Sequence, residues 1–81
     1  MPTLAYDSGV DSFSFTASDD VQPFWFLEYS SDGVTSWTQL TAANYGDSID
    51  NPVGLPRYYR AARSPDGVAV ELPYSAVLHE T

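Results

Sequence analysis

Apolar and polar residues alternate strictly through Ser12-Phe13-Ser14-Phe15-Thr16-Ala17-Ser18, with Phe13, Phe15 and Ala17 on one side and hydroxyls on the other. A period of two predicts a strand with one dry face. Phe24-Trp25-Phe26-Leu27-Glu28-Tyr29 is instead apolar on both parities, as expected of a strand central to its sheet and covered on both faces. A helix could also hold so apolar a run, but this one is short and lies between Pro23 and Ser30-Ser31-Asp32-Gly33, which favours a strand.

Turn chemistry divides the rest of the chain. Asp32-Gly33 separates Phe24–Tyr29 from Val34–Leu40, and Gly33 supplies the positive φ that a tight hairpin demands. Ser64-Pro65-Asp66-Gly67-Val68 repeats the device between Arg57–Ala62 and Ala69–Leu72, with Pro65 suited to the second turn position and Gly67 to the left-handed one. Two hairpins are predicted, and the shared Asp-Gly-Val reads as common turn chemistry. The polar stretch from Thr41 to Pro56 is expected to cross between sheets, with a short strand near Ser48-Ile49. Pro73 removes an N–H donor and implies an edge strand with a break, resuming at Ser75 to His79. The expected architecture is all-β, a two-sheet antiparallel sandwich of about seven short strands forming one domain over residues 1–81.

The order FSFTAS, WFLEYSSDGVTSWTQL, RYYRAARSPDG and LPYSAVL resembles a fibronectin type III or related immunoglobulin-like domain of bacterial or phage type. The resemblance makes these stretches strand B, the C to C′ hairpin, strand F and the approach to strand G. It implies that Tyr59 and Ala61 point into the core and that Trp25, Leu27 and Tyr29 line one face of strand C. SSDGVTSW is also similar to the Asp-box turn of sialidase-like propellers, in which Ser30, Asp32, Gly33 and Trp37 would stabilise the turn. One such turn cannot build a propeller, so it is read as a fold element.

A chain of 81 residues has a thin core, and four Phe, six Tyr and two Trp offset this by burying large areas in few side chains. With no Cys, neither disulfide nor thiolate metal site supports the fold. Eleven acidic residues against three arginines give a net charge of −8, which disfavours nucleic acid and anionic membranes as partners. Met1-Pro2-Thr3-Leu4 lacks the pattern of a secretory signal, and the run Phe24–Leu27 is too short to cross a membrane.

Catalysis finds little footing. The single His79 lies near the end of the chain, and the acid pairs Asp19/Asp20 and Asp47/Asp50 read as solvated loop residues. No cofactor is expected. Asp47, Asp50 and Asn51 are a weak calcium candidate because hard cations want several oxygens close together, though the spacing does not match an EF-hand. Since two sheets cannot hide every ring, Tyr6, Phe24, Phe26, Tyr45, Tyr58 and Tyr74 are candidates for a contact surface. Arg57 and Arg63 share a strand face opposite to Arg60 and are candidates for interface ion pairs, their alternative being to neutralise acids within the chain. The segment Ser75 to His79 is expected to meet another chain at a sheet edge.

The expectation is a non-enzyme with protein partners, copies of itself included. The resemblance implies a multi-copy accessory or decoration component of an assembly such as a phage virion, located in the virion or another extracellular assembly. The alternative is a carbohydrate-binding or spacer domain of a secreted bacterial multidomain protein.

Overall fold

The computed structural model describes residues 2–17, 21–52 and 57–80. Its strands are β1 (Thr3–Asp7), β2 (Ser12–Thr16), β3 (Phe24–Ser30), β4 (Thr38–Gln39), β5 (Ala43–Asn44), β6 (Ile49–Asp50), β7 (Arg57–Ser64) and β8 (Leu78–Glu80). No helix occurs among the described residues. One sheet has the order β1-β2-β6; the other has the order β4-β3-β7-β8, with β5 also pairing β3. All these pairings are antiparallel.

The two alternation patterns explain how the sheets meet. Leu4, Phe13, Phe15 and Ala17 come from the first sheet and its flank, and Trp25, Leu27, Tyr59 and Ala61 from the second, forming one buried cluster. Phe15 stacks on Trp25 with centroids 5.3 Å apart, and Phe13 packs tilted on Tyr59 at 4.3 Å. Four rings thus span the gap that a chain of this length could not fill with small side chains. β3 is the central strand: it pairs β7 through seven residues on one side, and β4 and β5 on the other. The connection after β5 crosses sheets as expected, since β5 pairs β3 whereas β6 pairs β2.

The last segment is interrupted where Pro73 predicts. Glu71 makes an isolated bridge to Arg63, and regular pairing resumes only at Leu78. Between them Ser75 turns inward: its N–H donates to the Ala61 carbonyl at 2.7 Å and its Oγ accepts the Ala61 N–H at 3.0 Å. Both predicted hairpins depart from expectation. Val34–Leu40 is not one strand but a loop through Trp37 followed by the two-residue β4. Ala69–Leu72 forms no strand beyond the single Glu71 bridge, because Ser64 and Asp66 hold Val68 and Ala69 in the turn.

The two Asp-Gly turns are built alike. Ser30 Oγ donates to the Thr35 carbonyl (2.6 Å) and accepts the Gly33 N–H (3.2 Å), while Asp32 Oδ1 accepts the N–H groups of Val34 and Thr35 (both 2.9 Å). Ser64 Oγ donates to the Ala69 carbonyl (2.5 Å) and accepts the Gly67 N–H (3.0 Å), while Asp66 Oδ1 accepts those of Val68 (2.9 Å) and Ala69 (3.0 Å). The likeness extends beyond the turns. Phe24 precedes Ser30 by the same spacing as Tyr58 precedes Ser64, and in the ladder Phe24 stands opposite Ser64 and Tyr58 opposite Ser30. Each glycine then folds back toward the first aromatic of the other strand, Gly33 toward Tyr58 and Gly67 toward Phe24. The shared triplet is therefore part of a longer correspondence, aromatic-x5-Ser-x-Asp-Gly-Val, arranged with approximate two-fold symmetry about the β3–β7 ribbon.

Two outcomes follow from the turns. A Cβ at Gly33 would lie 2.7 Å from Cδ1 of Tyr58, whereas at Gly67 the nearest ring atom is 3.5 Å away, and both glycines hold positive φ (74° and 75°). Gly67→Ala should therefore cost about 1–2 kcal/mol for backbone strain alone, and Gly33→Ala clearly more, because the Tyr58 ring must also move; urea unfolding of the two variants measures the difference. The second outcome concerns acid. Backbone donors, Val34 then Thr35 at one turn and Ala69 then Val68 at the other, hold the Asp32 and Asp66 carboxyls below the ordinary 3.8. Depressed folded values mean that the stability these groups contribute is present above that pH and lost as pH falls below it. Melting curves should show a steep loss on the acid side, and the Asp32→Asn/Asp66→Asn double variant should melt lower at neutral pH with a flatter acid limb.

Candidate functional site

Strand alternation gives the outer face of the larger sheet its side chains: Phe24, Phe26, Glu28 and Ser30 from β3, opposite Ser64, Ala62, Arg60 and Tyr58 from β7. The pairing Glu28↔Arg60 sets an acid beside a base at the middle of the sheet. Arg60 Nε and Nη2 both donate to Glu28 Oε1 at 2.9 Å, and Tyr74 Oη donates to Glu28 Oε2 at 3.1 Å. The guanidinium is also sandwiched, 4.2 Å from the Trp37 ring centroid and 3.7 Å from that of Tyr74. A planar, weakly hydrated cation between two ring faces is a favourable stack. Burial, then the Glu28 hydrogen bond, raises the Tyr74 phenol above its ordinary 10.0, so it stays a donor across the neutral range. A second stack adjoins the first: Tyr58 lies nearly parallel to His79, 4.1 Å between centroids, on the neighbouring strand β8.

The residues singled out in sequence do not converge on one patch. Phe24, Phe26, Tyr58 and Tyr74 share this outer face, although Phe26 is buried. Tyr6 and Tyr45 belong instead to the space between the sheets. Tyr6 packs on Phe13 at 4.9 Å and donates its hydroxyl to Asp11, whose hydrogen bond, with some burial and charge, pushes the phenol up to about 12. Tyr45 meets Phe15 edge-on, and its hydroxyl accepts the Ala17 N–H at 3.1 Å.

Of the arginines, Arg57 and Arg63 lie on the inner parity of β7 and Arg60 on the outer, as the alternation requires. Arg63 is buried and pairs with Glu71 at 2.8 Å, so Arg63, like Arg60, neutralises an acid within the chain.

Of the calcium candidates Asp47, Asp50 and Asn51, the Asn51 side chain and the Asp47 carbonyl are engaged within the chain. Asn51 donates to Asp11 (3.1 Å) and accepts from Tyr59 (2.9 Å), and the Asp47 carbonyl accepts the Trp25 indole N–H (3.2 Å). No group of three or more acids or histidines among the described residues is placed to hold a metal ion. Asp19 and Asp20 lie outside the described residues.

No known protein family, curated protein or solved structure matches this chain. What it offers a partner must be read from its own surface. Exposed apolar side chains sit at the ends of the sandwich: Val34 and Val68 follow the two glycines at opposite ends of the β3–β7 ribbon, 77% and 79% exposed. Val10 projects from the β1–β2 turn and Val21 and Leu72 flank β3 and the Glu71 bridge. A shallow apolar groove of about 270 Å³ lies between the sheets, lined by Pro2, Thr3, Leu4, Ala76 and Leu78.

Glu28 and Arg60 are not among the contact candidates of the sequence, which gives Trp37 to the turn and His79 to the last segment; Trp37 instead lies over Arg60, and His79 stacks on Tyr58. Parity alone puts Glu28 and Arg60 on outward faces, but their contact depends on the register of two strands far apart in the chain, which no local pattern encodes. Removing the charge under the stack tests its weight. Glu28→Gln should destabilise by about 2 kcal/mol, and fluorescence should report a rearranged Trp37 before global unfolding.

Proposed function

We propose that this chain is a non-catalytic structural and interaction module, a fibronectin type III-like sandwich that works in many copies as an accessory or decoration component of a larger assembly such as a phage virion. The fold part of the reading is supported by strand placement. The stretches corresponding to strand B, the C–C′ hairpin, strand F and the approach to strand G fall on β2, on β3 with β4, on β7 and on the segment before β8, with B in one sheet and the others facing it.

The observation that carries the functional part is that outward-facing aromatic and charged groups are engaged within the chain. Trp37 and Tyr74 each give a ring face to Arg60, Tyr58 lies against His79 and near Gly33, and Arg60 is ion-paired with Glu28. A sugar platform needs open ring faces, which makes the carbohydrate-binding alternative the weaker of the two. Apolar surface is left instead at the sandwich ends and beside β1, where contacts with protein are made.

Light scattering over a concentration series, paired with a glycan array, tests the reading. Reversible self-association with a silent array is the expected outcome. A monomer at every concentration that binds glycans would transfer the assignment to the carbohydrate-binding class.

A further inference from the structure

The sheet edges are unequal. β4, β5 and β6 have two residues each and β8 has three, preceded by the break at Pro73. Edges so short make poor templates for another strand. β1 is different. Its five residues run in unbroken register against β2, from Thr3↔Thr16 to Asp7↔Ser12, and no described strand pairs its other side. Natural edges of this length are usually blunted by a lysine, an inward charge, a proline or a bulge. The chain contains no lysine, and the only charge in β1 is Asp7 at its last position. The apolar groove between the sheets opens beside this edge, with Leu4 on one wall and Leu78 on the other.

We infer that β1 pairs antiparallel with β1 of a second copy, forming a two-fold dimer in which one sheet runs continuously through both chains. The inference rests on the self-assembly reading above and names its surface. A second copy is the occupant because the strand is complementary to itself. The register that pairs all five residues is centred on Ala5, which sets Leu4 opposite Tyr6 of the second copy and Thr3 opposite its Asp7. Leu4 and Tyr6 both lie on the inward parity, so the apolar pair forms beside the groove. On the other face the small Ala5 meets its own counterpart, and each carboxylate meets a hydroxyl instead of another carboxylate. An interface in which the same patch serves both partners closes after two copies. The opposing term is the −8 on each chain, which acts at longer range and is screened over about 8 Å at physiological ionic strength. Association through β1 therefore strengthens with added salt.

Two exposed positions on the outer face of β1 test this register without touching the core. Ala5→Lys sets two like charges opposite each other across the two-fold axis and should weaken the dimer by about tenfold or more. Thr3→Lys sets each new ammonium opposite Asp7 of the second copy and should tighten it by about threefold. Sedimentation equilibrium at low and high salt measures both, with circular dichroism and melting of the dilute protein confirming that each variant is folded. A wild-type dimer with these opposite responses is the expected result. Self-association that ignores Ala5→Lys, or that Thr3→Lys weakens equally, overturns the β1 interface and leaves self-assembly standing. A wild-type chain that is monomeric at every salt concentration overturns both.

Discussion

Seven consecutive residue pairs join β3 to β7, and this ribbon sets the position of everything else in the molecule. Its inner parity presents Trp25, Leu27, Tyr59 and Ala61 to the first sheet; its outer parity places Glu28 beside Arg60. The register is closed at both ends by the same device. A Ser–Asp–Gly turn leaves each strand and brings its glycine back to the first aromatic of the other. A slip of the ladder would have to break both turns at once, and a slip by one residue would also turn Trp25 and Tyr59 out of the core.

The outer face solves a problem that the ribbon creates. Glu28 is nearly buried although it lies on the side away from the main core, and an isolated carboxylate there would be costly. Arg60 neutralises it with two hydrogen bonds, Tyr74 adds a third, and Trp37 and Tyr74 cover the guanidinium. The result is a small second layer built from a charge pair and two rings. It accounts for half-buried aromatics on a surface that a two-sheet sandwich would otherwise leave to solvent.

Much of the strand content was legible because it depends on local pattern. The alternation of Phe13, Phe15 and Ala17 marks β2, the two-sided apolar run from Phe24 marks β3, and Pro73 marks the break before β8. The two-sheet all-β arrangement and the inward placement of Tyr59 and Ala61 agree with expectation. The Asp32-Gly33 turn alone predicts a paired strand over Val34–Leu40. There, the Ser30 bond to the Thr35 carbonyl and the positive φ of Ser36 prolong the turn instead. The aromatic half of the duplicated motif was present in the sequence at equal spacing, but its meaning depends on which residues stand opposite each other. The Arg60 stack was least legible, since Trp37, Glu28, Arg60 and Tyr74 come from four separate stretches that only tertiary pairing brings together.

The absence of lysine shapes how this protein handles its surface. Acidic residues cannot neutralise one another, so the few arginines are placed where a buried or half-buried carboxylate would otherwise be costly: Arg60 at Glu28 and Arg63 at Glu71. Other acids do local work. Asp32 and Asp66 collect the turn amides, and Asp11 accepts from Tyr6 and Asn51. With no long cationic side chains to blunt the sheet edges, strand length takes over that role, and most edges are cut to two or three residues. A high net negative charge then supplies the general repulsion that keeps such sheets apart. That repulsion acts on the molecule as a whole and weakens with salt, whereas edge pairing is decided residue by residue within hydrogen-bonding distance. A regular edge whose one charge lies at its end can therefore bind selectively on a surface whose overall charge discourages contact.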